Sequence, residues 1–312
     1  MSLLLENFTS PALLFFLLGI AAALIRSDLE LPPTSSKFLS IYLLLSIGFR
    51  GGQELAHETL RPDSTAVFGL AVASSMLIPI YVFWLARRSL GVANAGAVAA
   101  AYGSVSAVTF VAAGTFLDRH GLHLPGYLVA VMAFMEAPAI VVGLWLARRA
   151  GASGGTGSWL RHALTNGSVV LVLGSLLVGF VTDDAQAEGI RPFTNDLFKG
   201  FLAVFLLDMG LSSGRNLKAL WGAGWQPFAL ALLLPLVNGT LMALLSSVTG
   251  APAEARFMLS VLAASASYIA VPAAMRIALP EANPGIYLPM ALALTFPVNM
   301  TLGIPWYYWL VS

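Results

Sequence analysis

Five hydroxyls and one carboxylate stand where an otherwise apolar chain has little structural use for them. Ala101-Tyr102-Gly103-Ser104-Val105-Ser106-Ala107-Val108-Thr109 sets a glycine and three hydroxyls in the middle of an apolar run from about residue 92 to 113. Ala264-Ser265-Ala266-Ser267-Tyr268-Ile269-Ala270-Val271-Pro272 is a second such stretch, with two serines and no glycine, and Ser104 and Ser106 fall opposite Ser265 and Ser267 at a constant offset of 161 residues. In hydrocarbon every backbone polar group must be satisfied internally, so a helix broken at depth is tolerated only where it is buried in protein or lines a cavity. A break around Gly103–Thr109 opens amide groups at the start of the second half-helix, the positive end of its dipole, which attracts an anion. Serine hydroxyls supplement those amides. The opposing carbonyl ends offer oxygen to a hard cation such as sodium, so two facing breaks can hold an anion and its coupling ion together. The alternative use of Ser and Gly is close helix packing, which is common in membranes.

Glu136, in Phe134-Met135-Glu136-Ala137-Pro138-Ala139, is the deepest acid of the chain. An ionisable group at such depth costs about 2.5–3.5 kcal/mol on insertion scales, a cost usually tied to function. Facing the first break, its carboxylate could ligate sodium or carry a proton; otherwise it is a protonated Glu bonded to a backbone carbonyl. Its counterpart in the second half is Thr295, with Asn299 one turn on, so one half offers a charge and the other neutral oxygens. Thr109 adds an oxygen to the same sodium set. Asp208, near the expected end of a span at Leu211, is a possible coupling residue that can equally reach water. Asn238 reads as a partner for a neighbouring helix. His57, His120, His123 and His162 fall in or beside connections with no metal-binding spacing, and no metal beyond sodium is expected.

The elements that must position these groups are membrane spans. The 312-residue chain is 58% hydrophobic, 10% charged and free of cysteine, with a mean hydropathy of +0.83, far from the averages of a soluble domain. A net charge of +1 without a basic cluster argues against nucleic acid as a partner. The absence of cysteine removes disulfides, thiolate metal sites and thiol catalysis. No nucleophile, base and orienting group can be assembled, so no enzyme and no cofactor is expected. The first apolar run lacks a preceding Lys or Arg and is expected to be retained rather than cleaved.

Ten spans are expected, at about 11–26, 37–50, 65–86, 92–113, 125–147, 165–182, 194–211, 224–248, 255–279 and 285–311, most near the length a bilayer requires. The Gly- and Ser-rich connection at 151–158 is the one flexible linker. It divides the chain into residues 1–150, a linker 151–164 and residues 165–312. The halves repeat. Leu44–Gly52 reads against Leu206–Gly214 with four of nine positions identical, and Pro79, Pro125-Gly126 and Pro138 answer Pro235, Pro284-Gly285 and Pro297 at offsets of 156 to 159. Five spans per half is an odd number, so the second half enters the membrane the opposite way. The expected fold is an all-α polytopic membrane protein, a 5+5 inverted repeat with helices four and nine broken. With both termini outside, ten Lys and Arg lie on the cytoplasmic side and six outside, as the positive-inside rule prefers. The flexible linker is then cytoplasmic.

Gly103-Ser104-Val105-Ser106, Phe134-Met135-Glu136-Ala137-Pro138-Ala139, Met209-Gly210-Leu211 and Ala263-Ala264-Ser265-Ala266-Ser267, leading to Pro280-Glu281-Ala282-Asn283-Pro284, resemble the sodium-dependent bicarbonate transporters of the cyanobacterial SbtA type. The likeness covers nearly the whole chain. It implies a gate from helices 1, 2, 6 and 7, a core from helices 3–5 and 8–10, a homotrimer in the inner (plasma) membrane, and sodium-coupled bicarbonate uptake. Carried over residue by residue, it points to Gly103, Ser104, Ser106, Ser265 and Ser267 for the anion, with Tyr268 beside them, and to Glu136 for sodium. The chain departs from the pattern inside the site. Glu136 stands for Asp, Ala107-Val108-Thr109 for Gly-Ser-Thr, Tyr268 for Asp, and Val271-Pro272-Ala273 for Gly-Pro-Pro. The short linker also lacks the long polar insertion of cyanobacterial members, on which a regulatory partner would dock. The leading expectation is sodium-coupled import of a small anion, bicarbonate first. Proton-coupled or uncoupled transport of a small carboxylate is second, and a non-transporting membrane sensor is the reading from another class.

Overall fold

The computed structural model describes residues 11–57, 62–152, 167–222 and 224–312. The flexible linker falls almost wholly outside them, as do the first ten residues. Among the described residues the chain is helical throughout and contains no strand. Six helical runs among the described residues are long and apolar enough to cross a membrane: Pro62–Leu90, Val92–Arg119, Tyr127–Arg149, Asp184–Leu217, Trp225–Thr249 and Pro284–Val311. Pro11–Leu24 and Val170–Val181 are shorter apolar helices.

In chain order the helices are α1 (Pro11–Leu24), α2 (Pro33–His57), α3 (Pro62–Leu90), α4 (Val92–Gly103), α5 (Ala107–Arg119), α6 (Tyr127–Arg149), α7 (Gly167–Val181) and α8 (Asp184–Arg191). They continue as α9 (Phe198–Gly222), α10 (Trp225–Leu245), α11 (Ala253–Ala264), α12 (Ala270–Ala278) and a final run, α13 (Pro284–Val311). Several helices run past the limits that apolar runs suggest. α9 continues beyond Leu211 because its polar residues find partners: Ser213 Oγ donates to the Leu292 carbonyl at 2.7 Å and Asn216 to the Ser212 carbonyl at 2.8 Å. Asp208 therefore sits mid-helix rather than near an end.

Two helix pairs cross at glycine. A Cβ on Gly19 of α1 would strike the Leu207 carbonyl oxygen of α9, and one on Gly210 of α9 would strike the Phe16 carbonyl oxygen of α1. In α2 and α7, a Cβ on Gly52 would strike the Leu176 carbonyl oxygen and one on Gly179 that of Phe49. Without Cβ atoms the backbones touch directly, the close approach that small residues permit between membrane helices. Gly19 and Gly179 are 160 residues apart, and Gly48 and Gly52 lie 162 residues before Gly210 and Gly214. Each crossing joins one helix of the first half to one of the second.

The remaining helices pack α4 between α3 and α6, and α11 against α10, α5 and α13. Prolines shape this group by leaving carbonyls free four residues earlier. The ring of Pro79 in α3 packs against Gly103, where no Cβ would fit, with the Ser75 carbonyl beside it. Pro235 in α10 releases the Ala231 carbonyl, which accepts from Thr295 Oγ1 at 2.7 Å. α13 carries prolines at 289, 297 and 305, and widens to π-type turns over Met290–Thr295 and Asn299–Gly303. Such turns recur at functional sites in helices; Thr295 and Asn299 belong to them.

Candidate functional site

α4 stops at Gly103 and α5 begins at Ala107, with Ser104 and Ser106 in extended backbone between them. α11 stops at Ala264 and α12 begins at Ala270, with Ser265 extended. The two interruptions meet. Ser106 N–H donates to Ser265 Oγ at 2.9 Å, and Ser267 N–H donates to the Ala101 carbonyl at 2.8 Å. The Ser106 N–H and the Ala101 carbonyl, both at helix ends of the first interruption, are thus satisfied by the second, as buried helix ends require. Ser106 also caps α5: its Oγ accepts from Thr109 N–H at 3.2 Å and from Thr109 Oγ1 at 2.9 Å. Ser265 Oγ passes its own proton to the Leu262 carbonyl at 2.8 Å.

Not every polar atom here is matched. Ser104 Oγ and the Tyr268 phenol oxygen are buried without a hydrogen-bond partner, although the phenol comes near the Ser106 side chain. The Tyr268 ring itself packs edge-on to Phe296, with centroids 5.8 Å apart. Glu136, 7% exposed, has an equally unpartnered Oε2. Gly143 of α6 touches Gly96 and Ala100 of the antiparallel α4. Seven residues earlier in α6, about 10 Å along the axis, Glu136 comes level with the stretch after Gly103. Buried polar atoms are nearly always hydrogen-bonded, so two unmatched ones at a double helix break, with a third in α6 at about the same depth, suit a ligand.

A model of the Na+-dependent bicarbonate transporter superfamily matches residues 11–312. The chain belongs to that superfamily. Among curated proteins none matches the chain. Membership makes it an integral membrane transporter rather than an enzyme. The superfamily's description names an oxyanion and a hard cation, whose partners are in general N–H and O–H donors and carboxylate or hydroxyl oxygens respectively.

Measured against that context, the residues divide. Gly103, Ser104, Ser106, Thr109, Ser265, Ser267 and Tyr268 lie together at the crossing. Thr295 and Asn299 are buried close by, but their polar atoms are engaged. Thr295 Oγ1, besides donating to the Ala231 carbonyl, accepts from Tyr102 Oη at 2.6 Å. Asn299 Nδ2 donates to the Ala264 carbonyl at 2.8 Å, and its Oδ1 accepts from Tyr307 Oη at 3.1 Å. Asn299 therefore fastens the last residue of α11, and Thr295 fastens α4 through Tyr102. Asp208 is elsewhere, half-buried in α9 beside Ser36 and Arg215. Asn238 accepts from the Tyr81 phenol across α3 and α10. His57 pairs with Asp184 at 3.0 Å on the surface, and no metal-binding cluster of His, Cys, Asp and Glu occurs among the described residues.

Tyr102 and Tyr307 escaped the sequence reading. Their partners lie up to 193 residues away, and tyrosine in an apolar run gives no signal of its own. The Pro235 carbonyl, which at 2.9 Å shares the single proton of Tyr307 Oη with Asn299 Oδ1, is a usable sign only once α10 and α13 are known to touch.

Proposed function

We propose that the chain imports a small anion, bicarbonate first, together with sodium, as a ten-helix 5+5 inverted repeat. The observation that carries this reading is the crossing of the two broken helices, bonded through Ser106–Ser265 and Ser267–Ala101 with Ser104 Oγ and Tyr268 Oη left over. In this reading the anion replaces its hydration with Ser104 Oγ, Tyr268 Oη and the free amides at the start of α5. Sodium takes the carboxylate of Glu136 and the hydroxyl of Thr109, while Thr295 and Asn299 hold the broken helices behind them. Two related glycine crossings at offsets of 160 and 162 residues support the repeat, with α1, α2, α7 and α9 as the gate and the remaining helices as the core. A homotrimer with both termini outside is carried over from the family likeness and the Lys/Arg distribution.

A second reading, transport of a small carboxylate, is favoured by one observation. A crevice with room for about a single water runs beside the crossing, walled by Leu43, Leu44, Val108, Phe205 and Ile269. Such a wall suits a hydrocarbon part. Uptake of labelled bicarbonate into liposomes containing the purified protein, with and without an inward sodium gradient, tests the first reading. Gradient-dependent uptake is expected; uptake of acetate or pyruvate but not bicarbonate would favour the second.

A further inference from the structure

A cavity of about 300 Å³ opens between α2, α5 and the turn joining α8 to α9. Its rim carries the exposed carboxylates of Glu54, Asp118 and Asp196 and the exposed cations Arg191 and Lys199. Arg50 differs from them. It is only partly exposed, it forms no ion pair among the described residues, and its guanidinium lies 5.6 Å from the centre of the Phe198 ring. Arg191 by contrast is already paired with Glu188 at 3.0 Å.

The cavity points inward along three helices at once. On α2 it reaches Ile47 and on α9 Phe198, and Val111 of α5 walls both this cavity and the narrow crevice beside the broken helices. One turn further along α5 is Val108, and then Ser106 of the crossing. The two spaces thus share the Val111 wall, which sets the cavity holding Arg50 next to the crevice beside the break. A half-buried guanidinium without a carboxylate partner is a ready oxyanion ligand, because its planar donors match two oxygens and it is less hydrated than an ammonium.

We propose that this cavity is an entry vestibule in which Arg50 captures the anion, a small planar oxyanion such as bicarbonate or a short carboxylate, before it passes Val111. The step rests on the transport reading above, and Arg50 acts as a selectivity residue distinct from the serines at the break. The rim as a whole carries both signs, three carboxylates against Arg50, Arg191 and Lys199, so capture is local to Arg50: its charge-assisted, paired hydrogen bonds to an oxyanion hold the anion, and salt screens the approach.

The chain has no cysteine, so Thr115→Cys, on the cavity wall, supplies a single thiol for testing the vestibule without transport. Modification of purified protein in lipid discs is followed with a sulfonate-bearing and a trimethylammonium-bearing thiosulfonate. The ratio of anionic to cationic rates is expected to fall about tenfold when Arg50→Gln is added and to recover with Arg50→Lys. In liposomes, Arg50→Gln is expected to raise the KM for bicarbonate about three- to tenfold and flatten its salt dependence, with kcat little changed. An unchanged reagent ratio overturns the vestibule whatever the protein transports. A changed ratio with no bicarbonate uptake by the unaltered protein sustains an anion-selective vestibule and overturns bicarbonate as its occupant. An unchanged KM alongside normal uptake removes Arg50 from the route.

Discussion

Ser104→Ala separates a hydroxyl kept for a ligand from one kept for the fold. Ser104 Oγ is 1% exposed as part of its residue and has no hydrogen-bond partner. A buried polar group left unpaired costs about 1–3 kcal/mol, so removing it should leave thermal stability unchanged or raise it. Binding should respond in the opposite sense. A hydrogen bond to a charged group contributes about 1.5–3 kcal/mol, and each 1.4 kcal/mol is a factor of about ten, so anion affinity should fall about 10- to 150-fold. Ser265→Ala is the matched control. Its Oγ accepts the buried Ser106 N–H, and alanine would orphan that donor at a cost of about 1–3 kcal/mol in stability. The Leu262 carbonyl keeps the Ser265 amide as donor and adds nothing to the cost. Melting temperatures in lipid discs and bicarbonate uptake in liposomes are read for both variants. If Ser104→Ala destabilises as much as Ser265→Ala while its KM stays at the starting value, the hydroxyl is structural and the site reasoning is wrong.

Glu136→Gln should abolish or strongly weaken the sodium dependence of uptake while the melting temperature holds; sodium dependence that survives intact would remove Glu136 from the cation site. Val108→Ser should sharpen selectivity, so that acetate and pyruvate in excess compete less well with bicarbonate than they do before the change. Failure of both anions to inhibit the unaltered protein, with no shift in affinity on Val108→Ser, would make the apolar wall irrelevant to the substrate. Gly210→Val should disrupt the packing of α1 against α9, because its Cβ would meet the Phe16 carbonyl oxygen; a melting temperature equal to that of the unaltered chain would mean that the crossing is not close in solution.

The breaks were legible in the sequence because paired serines cost something in an apolar helix and occurred twice at one offset, the first time beside a glycine. Chemistry unsupported by packing is visible without coordinates. The fastening of those breaks was not legible. Asn299 and Thr295 look like free oxygens in sequence, yet each is spent on a carbonyl, Ala264 and Ala231, from a distant helix. The length of α9 was likewise hidden, since an apolar count ends it at Leu211 whereas Ser213 bonds to the Leu292 carbonyl of α13 and Asn216 to the Ser212 carbonyl of its own helix. The cavity around Arg50 draws its charges from separate segments of chain, so no local pattern announces it.

The glycine crossings carry a mechanical consequence. Where backbone rests on backbone, as at Gly19 with Leu207 and Gly179 with Phe49, no side chain stands between the helices to change rotamer, and sliding would demand that carbonyls climb over one another. Each pair behaves as a welded strut. Because each strut takes one member from before the linker and one from after it, the two halves of the sequence are pinned together at both places and cannot rock as separate bodies. In the proposed transport cycle a large displacement would then run along a seam that cuts across the chain order, with the struts on one side and the broken helices, bonded through Ser106 and Ser265, together on the other.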